Sequence, residues 1–313
     1  MAQQAIARPV RQVSQSRARR NEAIAGVLWA SPWLLGFLLF TLGPVLASLF
    51  LSFNDYTISG TPTWVGVANY AKAITGSDSL FWPSLGRTFQ YALIIVPVGI
   101  SASLLIAMAL NQQLRLTPLL RTFYFLPSLT PIVAAALIWT WLYQPEFGAI
   151  NWLLSLIGIE GPKWLADRDY ALYALMVIGL WGSVGGGTMI IFLAGLQGVP
   201  AELHEASEID GAGRWMRFWH VTLPMISPTI LFNLIIGIVG ALQVFTVSIV
   251  ATNGGPNYAT WFFIVHLYQN GFLDFDMGYA SALAWIFLAI VLTLTMINLR
   301  LSNRWVYYEG EAK

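Results

Sequence analysis

Along this chain apolar residues gather into six long runs, at about 23–52, 85–111, 118–143, 170–197, 226–251 and 279–300, with polar residues collected between them. Each run reaches the roughly 20 residues that a helix needs to cross the hydrocarbon of a bilayer. A helix satisfies its own backbone groups over that length in lipid, so the pattern predicts an all-α polytopic membrane protein with six transmembrane helices. Pro32, Pro44, Pro97, Pro127 and Pro131 fall inside the runs, where neighbouring helices can satisfy the carbonyls they free. The most polar interruption is PAELHEASEIDGAGRWMRFWHVTLPMISP, at 200–228. Glu202, Glu205 and Glu208 recur every third residue there with Leu203, Ala206 and Ile209 between them, which predicts a short helix with one acidic and one small apolar face. Gly211 suits the stop of that helix, because only glycine enters the left-handed region without steric cost. A second helix is expected from Arg214 to Leu223, ended by Pro224, so the loop reads as a helix-turn-helix.

Composition agrees with a bilayer. The chain is 57% hydrophobic and 10% charged, against roughly a quarter charged in soluble proteins. Cysteine is absent, which excludes disulfides, thiolate metal ligands and a cysteine nucleophile. His204, His220 and His266 are too scattered to predict a metal site or a catalytic histidine. A net charge of +1 gives no reason to expect nucleic acid as a partner.

Basic residues set the orientation. With the N-terminus inside, the inner side holds Arg8, Arg11, Arg17, Arg19, Arg20, Arg115, Arg121, Arg214, Arg217, Arg300, Arg304 and Lys313, leaving Lys72, Arg87, Lys163 and Arg168 outside. Both termini and the 200–228 loop are therefore expected in the cytoplasm. Arg19-Arg20 could open a twin-arginine signal, but an apolar run of spanning length without a cleavage site follows, so an uncleaved first helix is expected. The expected organisation is a cytoplasmic tail at 1–22, a six-helix domain at 23–300 and a cytoplasmic tail at 301–313.

What the chain lacks narrows its chemistry. Lys72, Lys163 and Lys313 follow Ala71, Pro162 and Ala312, so none completes the Gly-Lys-Ser/Thr of a phosphate-binding loop and no ATPase is encoded. No cofactor and no catalytic residue is expected. The runs hold no acid at mid-depth, which disfavours proton- or sodium-driven carriage. Their cations, Arg87, Arg121 and Arg300, all stand near the ends of runs, so a neutral, polyhydroxylated solute fits better than an anion. A path for it would use amides and hydroxyls beside aromatic rings, and the candidates are Trp181 and Ser183 in the fourth run with Asn233, Gln243 and Phe245 in the fifth. Ordinary packing would explain Trp181 and Phe245 equally well, and interhelical hydrogen bonds would explain Asn233 and Gln243. Gly182, Gly185, Gly186 and Gly187 permit close helix packing; the sharper expectation is a bend at Gly186 about which the fourth helix moves.

Glu205-Ala206-Ser207, Asp210-Gly211-Ala212, Phe218, Leu223-Pro224 and Pro228 resemble the EAA, IDGA and LP elements of the EAA loop in permease subunits of ABC importers. Ser207 stands where that family usually has a second alanine. The resemblance implies that the loop is a coupling helix seated in a cleft of a separate ATPase subunit, with Glu205 and Asp210 making polar contacts there and Gly211 allowing the turn. Ser52-Phe53 with Val65-Gly66, Asn69 and Tyr70, the run from Arg121 to Ser128, Trp139, Trp141, Pro145, Gly148 and Asn151, and Thr252-Asn253-Gly254-Gly255-Pro256 are similar to carbohydrate-uptake permeases, over about residues 23–300. That similarity implies ATP-driven sugar import across a bacterial or archaeal inner membrane. The implied partners are a second homologous permease, two ATPase subunits and an external solute-binding protein, the last touching Asn253, Gly254, Gly255 and Pro256. Several sugar-contact positions of the maltose-type permeases correspond here to Gly179, Gly240, Ala241 and Val244. The alternatives are a secondary carrier or channel for a neutral solute, and an ABC importer of glycerol-phosphate or a polyol.

Overall fold

A computed structural model describes residues 15–112 and 116–308. Arg8, Arg11, Arg115 and Lys313, which contributed to the predicted orientation, lie outside the described residues.

The first apolar run is α1 (Gln15–Phe37), a π-helical turn (Leu38–Leu42) and α2 (Gly43–Ser52). The helix begins inside the segment expected as a tail, since alanine and arginine around Glu22 are good helix formers. The π turn has a local cause. Pro44 cannot donate to the ladder and its ring would press on the carbonyl four residues back; widening the preceding turn, so that the Gly43 amide reaches Leu38 O, relieves that pressure. A connecting segment follows, with a two-stranded ribbon of β1 (Asn54–Asp55) and β2 (Thr63–Trp64) and then α3 (Ala68–Ile74). The paired motifs at its ends meet: Phe53 stacks on Trp64 with centroids 5.6 Å apart, Val65 N donates to Phe53 O at 2.9 Å, and Asn69 Nδ2 donates to Ser52 O and Asn54 O at 3.0 and 2.9 Å.

The second run is the unbroken α4 (Phe81–Leu110). The third is bent by 97° at Thr130–Pro131 between α5 (Thr117–Leu129) and α6 (Ile132–Leu142), because Pro131 holds Thr130 extended and ends α5. The short α7 (Ala149–Ser155) lies in the next connection. The fourth run comprises α8 (Arg168–Ser183) and α9 (Gly186–Gln197), bent by 47° at Val184–Gly185. Beyond it come α10 (Ala201–Ile209), α11 (Arg214–Arg217), a π turn (Phe218–Thr222), α12 (Leu223–Met225) and α13 (Ser227–Leu242). The fifth run is broken again at Gln243–Phe245 before α14 (Thr246–Thr252). After α15 (Phe263–Tyr268) and a π turn (Gln269–Leu273), α16 (Met277–Ser302) ends the fold. Among the described residues, three helical stretches are long and apolar enough to cross a membrane, and up to six when each bent pair counts as one span.

α4 packs on α8, α9 and α13, while α16 packs on α2. One core surrounds Tyr91, Leu175, Leu242, Phe262, Phe263 and Leu283; a second joins Leu110, Met189, Phe192 and Ile226 near the 200–228 loop. Trp29, Trp33, Leu39 and Phe40 of the first span stay exposed, an arrangement suited to lipid rather than water. At the far end Val306 is buried and Tyr307 N donates to Ser227 Oγ at 2.8 Å, so the described part of 301–308 folds back on the start of α13.

Candidate translocation cavity, coupling loop and external turn

A cavity of about 350 Å³ lies where α4, α8, α13 and the 243–247 break converge, within the ordinary range for small-molecule sites. Four of the candidates border it: Ser183, Asn233, Gln243 and Phe245. The break explains why Gln243 and Phe245 are available. Gln243 caps α13 and Phe245 leaves the helical region at φ −142°, which turns both out of the regular helix beside the cavity. Gln243 has no hydrogen-bond partner for its amide among the described residues, whereas Asn233 Nδ2 is held by Thr229 O at 2.9 Å, leaving its oxygen free. Phe245 meets Tyr268 edge-on at 5.1 Å.

Trp181 and Gly186 are not among the lining residues. Trp181 instead stands edge-on to Trp139 at 6.0 Å. Gly186 sits at the bend of the fourth run with φ +46°, and an added Cβ would come within 2.7 Å of Ser128 Cβ; beside it, a Cβ on Gly185 would collide with the Tyr124 carbonyl. The bend is therefore both a positive-φ site and a place of close approach to α5.

Tyr91 and Thr246 also border the cavity and were not singled out by the sequence. Tyr91 is buried, its ring meets Phe262 at 5.2 Å, and its hydroxyl has no hydrogen-bond partner among the described residues. A Cβ on Gly179 would overlap that hydroxyl, so glycine at 179 makes the space Tyr91 occupies. No charged side chain is among the lining residues.

The polar loop forms the predicted first helix. α10 has Pro200 at its N-cap and no buried residue; Glu205, Ala206 and Asp210 are exposed and Ser207 half-buried, its hydroxyl donating to His204 O at 2.8 Å. Gly211 adopts φ +80°, its amide reaching Glu208 O at 3.0 Å while Ala212 N reaches Ser207 O at 2.9 Å, a doubly bonded helix stop. Arg217 pairs with Glu208 across the turn. The second helix differs from the expectation. It runs through Leu223-Pro224 to Met225 by way of the π turn, in which Leu223 N reaches Phe218 O, and it ends at Ile226 with a 65° bend into α13. Pro224 thus shapes the turn before it rather than stopping the helix. Ile209 is 87% exposed and Trp215 73%, so the loop presents apolar side chains beside carboxylates with nothing covering them.

On the opposite side, Asn253 ends α14 in the left-handed region at φ 47° and is exposed. Gly254 is buried at φ +78° with the Trp261 ring where a Cβ would be; Gly255 and Pro256 are half-buried. Ser248 Oγ donates to Thr260 O at 2.7 Å and Thr260 Oγ1 to Gly255 O at 2.8 Å, closing the turn. Nearby, Asp78 is half-buried against α15 and α16. Burial opposes its charge, but hydrogen bonds from Tyr279 Oη at 2.6 Å and the Leu80 amide at 2.9 Å, with His266 Nε2 at 2.6 Å, outweigh that cost and hold its carboxyl below the usual range.

The family described as "Binding-protein-dependent transport system inner membrane component" matches residues 99–307. Among curated proteins, the chain is 39% identical to the probable ABC transporter permease YesP of Bacillus subtilis, over 96% of this chain and 97% of that one. It is 31% identical to the trehalose/maltose transport system permease MalF of Thermococcus litoralis, covering 92% and 97% of the two chains. The arabinooligosaccharides transport system permease AraP of Bacillus subtilis is also 31% identical, with 93% and 91% covered. Among solved structures, a bacterial ABC transporter for import of the acidic polysaccharide alginate superposes with a TM-score of 0.80 at 22% identity, over 92% of this chain and 99% of that one, which establishes the fold. Family match and full-length relatives agree, and the chain belongs to the inner-membrane components of binding-protein-dependent transport systems.

Proposed function

We propose that this chain is the permease subunit of an ATP-driven importer for a neutral mono- or oligosaccharide, supplied from outside by a solute-binding protein. The observation that carries the substrate class is the 350 Å³ cavity, lined without a charged side chain yet bordered by the free Gln243 amide and Tyr91 hydroxyl. Such a lining offers hydrogen bonds to sugar hydroxyls and ring faces to C–H edges. It offers no counter-charge for a phosphate, which disfavours glycerol-phosphate. Relatives named for trehalose/maltose and arabinooligosaccharide transport point to the same class.

Energy enters from the other side. Glu205, Ala206, Ser207, Asp210, Gly211 and Ala212 form a largely exposed helix and its stop, and Leu223-Pro224 ties it to α13, which borders the cavity. Seated in a cleft of an ATPase subunit, α10 would move with that subunit on ATP binding and carry α13 with it, switching the cavity from inward- to outward-facing. The working assembly then holds a second permease, two ATPase subunits and the binding protein, the last touching the turn around Asn253 and Pro256. Both termini and 200–228 lie on the cytoplasmic side in this reading.

Reconstituting the assembly in liposomes with liganded binding protein outside tests it. ATP-dependent uptake of a neutral oligosaccharide supports the proposal. Uptake without ATP, or preference for a phosphorylated solute, contradicts it.

A further inference from the structure

His266 is 5% exposed at its side chain and makes contacts that only one protonation state can make. Its Nε2 lies 2.6 Å from Asp78 Oδ2, and its Nδ1 lies 3.3 Å from Trp261 Nε1. An indole N–H only donates, so Nδ1 must accept, and the ring is neutral with its proton on Nε2, donating to Asp78. The other polar group near the ring is the Asn270 amide, whose Nδ2 is fixed as a donor by its 2.8 Å bond to His266 O. Nδ1 therefore faces donors only.

Trp261 is in turn the floor of the external turn. Its ring occupies the space of a Cβ on Gly254 and packs edge-on against Tyr258 at 5.3 Å. A continuous chain of contacts thus runs from Asp78 through His266 and Trp261 to Gly254. Its ends lie far apart in sequence, and on the far side Asp78 is tied to α16 by Tyr279.

We propose that Asp78, His266 and Trp261 form a relay that fixes the external turn at 253–258, and that protonation of His266 releases it. A proton added at Nδ1 sets N–H against N–H, and the indole loses its acceptor. Trp261 then loses the contact that holds it under Gly254, and the turn loosens. His266 is a positioning residue here; the turn, not the imidazole, meets the partner. The charged and titratable groups around it are Asp78 from the segment ahead of α4, Tyr279 and Asp276 from α16, Lys72 of α3, which lies 3.8 Å over the Tyr279 ring and 3.1 Å from Asp276, and Asp274, which accepts from Gln269. From α4, Phe81 meets Phe263 edge-on, Thr88 Oγ1 accepts from the Phe263 amide at 2.8 Å and Tyr91 packs on Phe262. The relay therefore makes capture of the loaded binding protein fall when His266 gains a second proton.

The inference rests on the permease reading given above. The test is uptake by the reconstituted assembly with one saturating preparation of binding protein, at external pH from 8 down to 5. The unaltered assembly should lose activity about fivefold over that interval, the weight of roughly one hydrogen bond. His266→Asn keeps an acceptor for the indole and cannot take up a proton, so it should hold the neutral-pH rate and show no acid decline. Trp261→Phe keeps a ring but has no N–H to lose, and should be slow and flat at every pH. An acid decline in either variant equal to that of the unaltered assembly overturns the relay, and Trp261→Phe decides the matter alone if His266→Asn fails to assemble. No binding-protein-dependent uptake at any pH by the unaltered assembly would instead overturn the permease reading, and the relay with it.

Discussion

Tyr91→Phe separates a role in solute passage from a role in folding. It removes one oxygen and nothing else. Tyr91 is 4% exposed, its ring packs on Phe262 and its hydroxyl has no hydrogen-bond partner among the described residues, so phenylalanine keeps the packing and breaks no bond. Thermal unfolding of the purified assembly should be unchanged, since no hydrogen bond among the described residues is lost. If a sugar hydroxyl pairs with Tyr91 during passage, the variant loses a net hydrogen bond of about 0.5–1.5 kcal/mol, which is roughly a 2- to 12-fold change in rate. Affinity for free sugar resides in the binding protein, so the quantity to read is the uptake rate at saturating loaded binding protein. Gly179→Ala supplies the complementary perturbation: its methyl collides with the Tyr91 hydroxyl and should displace the ring into the cavity, lowering uptake further. A Tyr91→Phe assembly that transports at the unaltered rate, or that loses rate only in step with its unfolding temperature, would refute the assignment of this cavity to the path.

Three other outcomes are expected. Gly211→Asp places a side chain at φ +80° with no atom within 4 Å of its Cβ, a conformation that aspartate tolerates better than most residues; the assembly should form yet hydrolyse ATP without import, and normal sugar uptake would count against coupling through this loop. Gly186→Leu should abolish transport, and the milder Gly186→Ala should slow it, while both assemble; because the added Cβ also presses on Ser128, size-exclusion chromatography must accompany the uptake assay. Asp78 has its carboxyl held below the usual range, so its contribution to stability is fully present above that range and is lost as pH falls through the lowered native value. The unfolding temperature should therefore drop on acidification below about pH 4, and Asp78→Asn should start lower and flatten that dependence.

The spans were legible because length and apolarity are local properties, and so was α10, whose carboxylate spacing and Gly211 stop lie within a dozen consecutive positions. The breaks were not. Pro131 reads as one more tolerated proline, yet with Thr130 extended it turns the third run by 97°. Pro44 and Pro224 act on the turn ahead of them, so Pro224 reads as a stop in the sequence while it sits inside a continuing helix. At the cavity, Gln243 and Asn233 could be found because a polar side chain in a span is conspicuous. Tyr91 could not, since a tyrosine in an apolar run looks like packing until its hydroxyl is seen to lack a partner. Trp181 drew attention by size and meets Trp139 instead. The Asp78–His266 pair spans 188 positions, beyond the reach of any local pattern.

The central claim is that this chain works as one subunit of an assembly whose ATPase lies elsewhere. Extracting the tagged full chain from its native membrane in mild detergent and identifying what stays bound tests it most directly. An ATPase and a second permease should be recovered, and both should stay with Gly211→Asp extracted in the same way, since that variant loses coupling and not assembly. Recovery of this chain alone, intact and moving solute across vesicles without ATP, would contradict the account.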